Sequence, residues 1–211
     1  MRRTTGRAAA LMAAVIASAA CAAPAPAAAA LFSVGGRIGI ANYSGDVLYK
    51  SGDVGDDLVI GAHAQIALLP KIALEGAAEY FATTFEYDAS FEGFTFSREV
   101  DFRDIALYAT AKVSLGLLPV VPLHPYVGVG PDLHILSTEV VRETFDDPAA
   151  DEPPEKILED ASRGGFHVVA GLDAGGFLVP IGVFVEGRYS RIGSDPKIST
   201  TSALAGFRFG F

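Results

Sequence analysis

The stretch Ile105-Ala106-Leu107-Tyr108-Ala109-Thr110-Ala111-Lys112-Val113 decides how the chain folds. Its odd positions are aliphatic, and its even positions mix small, polar and charged side chains. Alternation of period two belongs to a strand whose two faces meet different surroundings, because successive side chains point to opposite sides. The pattern recurs, eight runs in all, at about 32–43, 58–69, 72–87, 99–115, 124–137, 165–178, 181–192 and 199–211. No stretch after Leu31 has helical period. One parity of every run is apolar: Val34, Ile38 and Ile40 in the first, Leu58, Ile60, Ile66 and Leu68 in the second, Ala203, Ala205, Phe207, Phe209 and Phe211 in the last.

The other parity holds Gly and Ala, the histidines His63, His134 and His167, and nine charges: Arg37, Glu75, Glu79, Lys112, Asp132, Asp173, Glu186, Arg188 and Arg208. A water-soluble barrel turns its apolar face inward and covers its outside with charge, whereas a membrane barrel inverts the arrangement. Nine charges over eight strands are too few to solvate an outer surface. Small residues such as Gly35, Gly39, Gly61, Gly128, Gly130 and Gly171 suit the narrow inside of an eight-stranded barrel. The expected fold is therefore all-β, an eight-stranded antiparallel up-and-down transmembrane β-barrel over residues 31–211. Its first and last strands must pair, since no open sheet edge can lie in hydrocarbon. The first, third, fifth and seventh connections are expected to be the longer, external ones. If strands three and four meet through a turn at Glu92-Gly93, Thr110 lies opposite Glu75 and Phe91 opposite Phe94.

The chain has 211 residues, half of them hydrophobic, 19% charged, with a net charge of −9 and a single cysteine. Those values exclude a disordered chain, a disulfide scaffold and a basic nucleic-acid binder. Residues 1–30 read as a secretory signal peptide, with Arg2, Arg3 and Arg7 before an apolar run from Ala8 to Ala20 and small residues up to Ala30. The rival reading takes Ser18-Ala19-Ala20-Cys21 as a lipobox that would lipidate Cys21.

The signal peptide, the eight runs, Pro125-Tyr126-Val127-Gly128-Val129-Gly130 and the ending Gly206-Phe207-Arg208-Phe209-Gly210-Phe211 together resemble the small eight-stranded outer-membrane β-barrels of Gram-negative bacteria, the OmpA/OmpX/OmpW-like superfamily. The resemblance implies a cell outer-membrane location among lipid and lipopolysaccharide. It also implies an assembly signal, Phe207, Phe209 and Phe211, shown to the barrel assembly machinery. The chain lacks Trp, so Tyr43, Tyr80, Tyr108, Tyr126 and Tyr189 are expected to serve any interfacial role.

The interior charges, four basic against five acidic, are expected to pair into a salt-bridged, closed lumen, because isolated buried charges are prohibitively costly. No catalytic residues, metal ligands or cofactor are expected: the histidines match no acyl-hydrolase arrangement, and no phosphate loop or Cys/His spacing occurs. The expected role is non-enzymatic, in envelope structure or surface interaction through external loops. The alternative is transport of small solutes or hydrophobic molecules through the barrel. Strands three and four are expected to protrude as a hairpin with an aromatic face of Phe85, Tyr87, Phe91, Phe94 and Phe96, a candidate interaction surface. The acidic stretch 138–164 reads as a solvated loop. Asp56 and Asp57 beside the repeated Ser-Gly-Asp-Val at 44–47 and 51–54 allow divalent-cation binding, though in no known calcium-loop spacing.

Overall fold

The eight alternating runs become eight strands in the computed structural model, which describes residues 31–45, 52–91, 94–115, 123–145, 161–174, 181–193 and 198–210. They are β1 (Phe32–Gly45), β2 (Gly52–Leu69), β3 (Ile72–Phe91), β4 (Phe94–Ser114), β5 (Leu123–Phe145), β6 (Ala161–Ala174), β7 (Ile181–Ile192) and β8 (Ile198–Gly210). Each pairs antiparallel with its sequence neighbour, and β1 pairs with β8 from Ser33 opposite Gly210 to Gly45 opposite Ile198, which closes the barrel. The two-residue connection between β3 and β4 gives the register expected of a turn at Glu92-Gly93, with Ile72 opposite Val113, Glu75 opposite Thr110 and Phe91 opposite Phe94. The leader, the Glu92-Gly93 turn itself and Phe211 lie outside the described residues.

The faces fall as the alternation requires. Ile38, Ile60, Leu74, Leu107, Val129, Val168 and Phe207 are 50%, 48%, 48%, 41%, 55%, 53% and 47% exposed, whereas their inward neighbours Arg37, Glu75, Tyr108 and Val169 are buried. In β7 the alternation runs without interruption from Gly182 to Ile192. An outward apolar face and an inward polar one are stable only with hydrocarbon outside. Leu107→Arg is accordingly expected to destabilise the refolded protein by about 2–4 kcal/mol in urea titrations, against about 0–1 for Val141→Arg near the outer end of β5. Equal, small costs at both positions would contradict the lipid-facing assignment.

Two expectations need correction. Three of the five tyrosines reserved for the interface point inward instead: Tyr43, Tyr108 and Tyr126 are buried, and only Tyr80 and Tyr189 face outward, at 42% and 48% exposure. Their parity is that of Arg37, Lys112 and Glu186, and inside the barrel their hydroxyls find partners, as buried phenols require. The external connections are also shorter than expected, because the strands run on. β3, β4 and β5 have 20, 21 and 23 residues, whereas ~9–11 suffice to cross a bilayer. The connection between β5 and β6 shrinks from 138–164 to 146–160, and that between β1 and β2 from 44–57 to 46–51. Beyond the membrane the outward face turns polar, with Thr84 donating to Asp101 at 2.5 Å and Arg103 within 3.4 Å of Asp101 and 3.8 Å of Glu139.

Candidate functional site

The inward parity builds three layers along the lumen. The first is ionic. Arg37 on β1, Glu75 and Glu79 on β3, Lys112 on β4, and Glu186 and Arg188 on β7 converge from opposite walls. Arg37 donates from Nη2 to Glu75 Oε1 at 2.7 Å, and its Nη1 lies 3.3 Å from Glu79 Oε1 and 3.5 Å from Glu186 Oε1. Lys112 Nζ donates to Glu75 Oε2 and Glu186 Oε2, both at 2.8 Å. Arg188 donates to Glu79 Oε1 and Glu186 Oε1, both at 2.7 Å. Three acids thus face three bases, and Tyr126 adds its hydroxyl to Glu186 Oε2 at 2.9 Å.

Aromatic faces carry the cations. The Arg188 guanidinium lies 3.9 Å from the Tyr108 ring centre, and Lys112 Nζ 4.6 Å from that of Tyr126. Arg208 and Asp173 form a separate pair, which leaves each remaining base and acid of this end matched. Assembly of such a buried network stabilises little on balance, because desolvation offsets attraction; removal of one member leaves a partner buried and unpaired.

The second layer holds carboxylates and histidines. Asp104 Oδ2 accepts from the Tyr43 hydroxyl and lies 2.6 Å from His134 Nδ1, and His134 Nε2 faces Asp132 Oδ1 at 3.7 Å. Asp132 Oδ2 accepts from the Ser190 hydroxyl and lies 3.5 Å from His167 Nδ1, while His167 Nε2 and Thr110 Oγ1 are 2.9 Å apart. Thr110, His167 and Asp132 thus lie in the order hydroxyl, imidazole, carboxylate found where nucleophiles are activated, but His167 Nδ1 makes no hydrogen bond to Asp132. At 2%, 1% and 6% exposure, these residues also give Thr110 no contact with a substrate unless the barrel opens.

Above the second layer lies an apolar one. Tyr43, Val59, Phe81, Phe102, Leu136, Ile192 and Ile198 pack together, with the half-buried Phe85 against them. The Tyr43 ring centre stands 4.6 Å from that of Phe81 and 5.2 Å from that of Phe102. Aromatic contacts of this geometry contribute about 0.5–1.5 kcal/mol each beyond area burial.

All nine charges singled out by parity therefore lie within the lumen. Sequence reasoning missed Asp104, Tyr43 and Ser190. Asp104 shares the parity of Lys112, which was the signal available for it, and sits between Arg103 and Ile105, where the outward face passes from charge to hydrocarbon. The aromatic hairpin is extended and paired on its backbone, with Ala89 opposite Phe96 and Tyr87 opposite Arg98. The side chains of Tyr87, Phe91, Phe94 and Phe96 lie outside the described residues. Phe207 and Phe209 face outward at 47% and 40% exposure. Asp56 and Asp57 stand on β2, where Asp57 Oδ1 accepts from the Leu58 amide at 2.7 Å, and no cluster able to hold a metal ion occurs among the described residues.

A closed barrel with lipid on its outside and a packed, charged inside defines a transmembrane β-barrel protein of the bacterial outer-membrane kind. The chain belongs to the outer membrane protein beta-barrel domain family, whose model matches residues 13–211, and it is located in the outer membrane of a Gram-negative bacterium, amid lipid and lipopolysaccharide. No curated protein matches it by sequence. Among solved structures it is similar to Neisserial surface protein A, NspA, with 15% identity and a TM-score of 0.61 over 88% of this chain and 100% of that one. It is also similar to Ail, the attachment invasion locus protein of Yersinia pestis, with 13% identity and a TM-score of 0.47 over 86% and 100% of the two chains. OprG from Pseudomonas aeruginosa gives 13% identity and a TM-score of 0.39 over 87% and 98%.

Proposed function

We propose that this chain is a non-enzymatic outer-membrane barrel with a salt-bridged, closed lumen, whose role in envelope structure or surface interaction falls to the strand ends beyond the membrane. One observation carries the reading: six charged side chains from β1, β3, β4 and β7 neutralise one another within 3.5 Å across the lumen, under a layer of packed rings. A passage for solutes needs a continuous polar void, and paired charges of balanced sign supply neither space nor ion selectivity. In this reading residues 1–30 direct secretion, and Phe207, Phe209 and Phe211 present the chain to the barrel assembly machinery.

The part offered to a surface partner is the β3–β4 hairpin, with Tyr87, Phe91, Phe94 and Phe96 on the strand parity of Phe85, which itself packs half-buried against the apolar layer. Exposed apolar patches beyond a few hundred Å² usually mark an interaction site. Replacement of Phe91, Phe94 and Phe96 together by Ser is expected to abolish binding of barrel-bearing vesicles to cultured cells, while the protein still shifts on a gel between heated and unheated samples. Unchanged binding, or a variant that does not assemble, would remove the hairpin from this role.

A further inference from the structure

Among the described residues no side-chain hydrogen bond joins the carboxylates of the ionic layer to those of the histidine layer, yet a cavity of about 10 Å³ lies between them. Its polar lining comes from both: Glu79 belongs to the first layer, Asp104 and Tyr43 to the second, and Tyr108, Thr200 and Ser202 complete the wall. About 10–15 Å³ of such space holds one water, provided two to four polar groups surround it. Asp104 supplies the second observation. Its side chain is 0% exposed, Oδ2 is taken by Tyr43 and His134, and Oδ1 has no donor within hydrogen-bond distance. A buried carboxylate oxygen without a donor is costly, more so than a neutral acceptor.

We propose that this cavity is a binding site for one water molecule, which donates one hydrogen to Asp104 Oδ1 and the other toward Glu79, and accepts from a wall hydroxyl of Thr200 or Ser202. The water joins the ionic layer, from Lys112 through Glu186, Arg188 and Glu79, to Asp104 and its partners Tyr43 and His134 in a single hydrogen-bonded network. A divalent metal does not suit the site, because it demands more oxygen ligands than the two carboxylates and few hydroxyls here offer. A monovalent cation of similar size is the competitor that the test must separate from water.

The deciding experiment is a crystal structure of the refolded wild type, grown in rubidium chloride at a resolution that shows ordered water. The expected result is one peak at hydrogen-bond distance from Asp104 Oδ1, about 2.5–3.0 Å, without anomalous signal at the rubidium edge. An anomalous peak would make the site a cation site, and an empty cavity among other well-ordered interior waters would remove it. In solution, the wild type is expected to show magnetisation transfer from water to the Asp104 amide, and Ala41→Val, which narrows the cavity from its apolar side, is expected to abolish it. Transfer absent in the wild type, or retained in a folded Ala41→Val protein, would overturn the proposal. If that variant does not fold, the wild-type density alone decides.

Discussion

Arg37→Met is expected to lower the stability of the refolded barrel by about 3–5 kcal/mol, the cost of breaking a buried ion-pair network from one side. Among the described residues the Arg37 guanidinium alone is ion-paired with Glu75, Glu79 and Glu186 together, at 2.7, 3.3 and 3.5 Å. Without it three buried carboxylates share Lys112 and Arg188, and one buried negative charge stays without a cation. The measurement is the urea midpoint in lipid vesicles, read together with the difference in gel migration between heated and unheated samples. The double variant Arg37→Met/Glu75→Gln removes one charge of each sign and is expected to recover a large part of the loss. A single variant as stable as the wild type, or a double variant no better than the single, would show that the network does not hold the lumen.

Gly35→Val is expected to prevent barrel closure. Gly35 stands on β1 opposite Arg208 of β8, at the seam where the first strand meets the last. A Cβ there would lie 1.8 Å from the Phe207 carbonyl oxygen and 2.8 Å from a ring carbon of His63. Ordinary overpacking costs about 1–3 kcal/mol, but that figure assumes side chains that can yield, and here the obstacle is backbone within the pairing seam. Gly76→Val is the control, since a Cβ at Gly76 meets nothing within 4 Å and points to lipid. The Gly35 variant should lose the compact, fast-migrating band that the Gly76 variant keeps. Equal behaviour of the two would mean that the seam is looser than described.

The part of the fold inside the bilayer was legible because hydrocarbon imposes a strict rule on every second residue. Ile105, Leu107, Ala109, Ala111 and Val113 obey it without exception, and the two-residue connection sets the register of β3 and β4 over their whole length. Outside the bilayer the rule lapses. In β2 the acids Asp53, Asp56 and Asp57 read as loop residues, and in β5 Arg142 and Glu143 likewise, because a strand outside the hydrocarbon needs no apolar parity that would reveal it. Parity also says which side chains face the lumen but not which ones meet across it. The contacts of Arg37 on β1 with Glu186 on β7 depend on barrel diameter and strand stagger, and neither is written in a single strand. Tyr43 was misread for a related reason: it sits at the level where outward neighbours pass from lipid to water, so aromaticity pointed to the interface while parity pointed inward.

The closed lumen is the central claim, and planar-bilayer conductance of the refolded wild type tests it most directly. The paired charges and packed rings predict no stable open-channel current, with conductance appearing only when the ionic layer is disrupted, as in Glu75→Gln or Lys112→Met. Stable open-channel currents in the wild type, unchanged by either substitution, would contradict it.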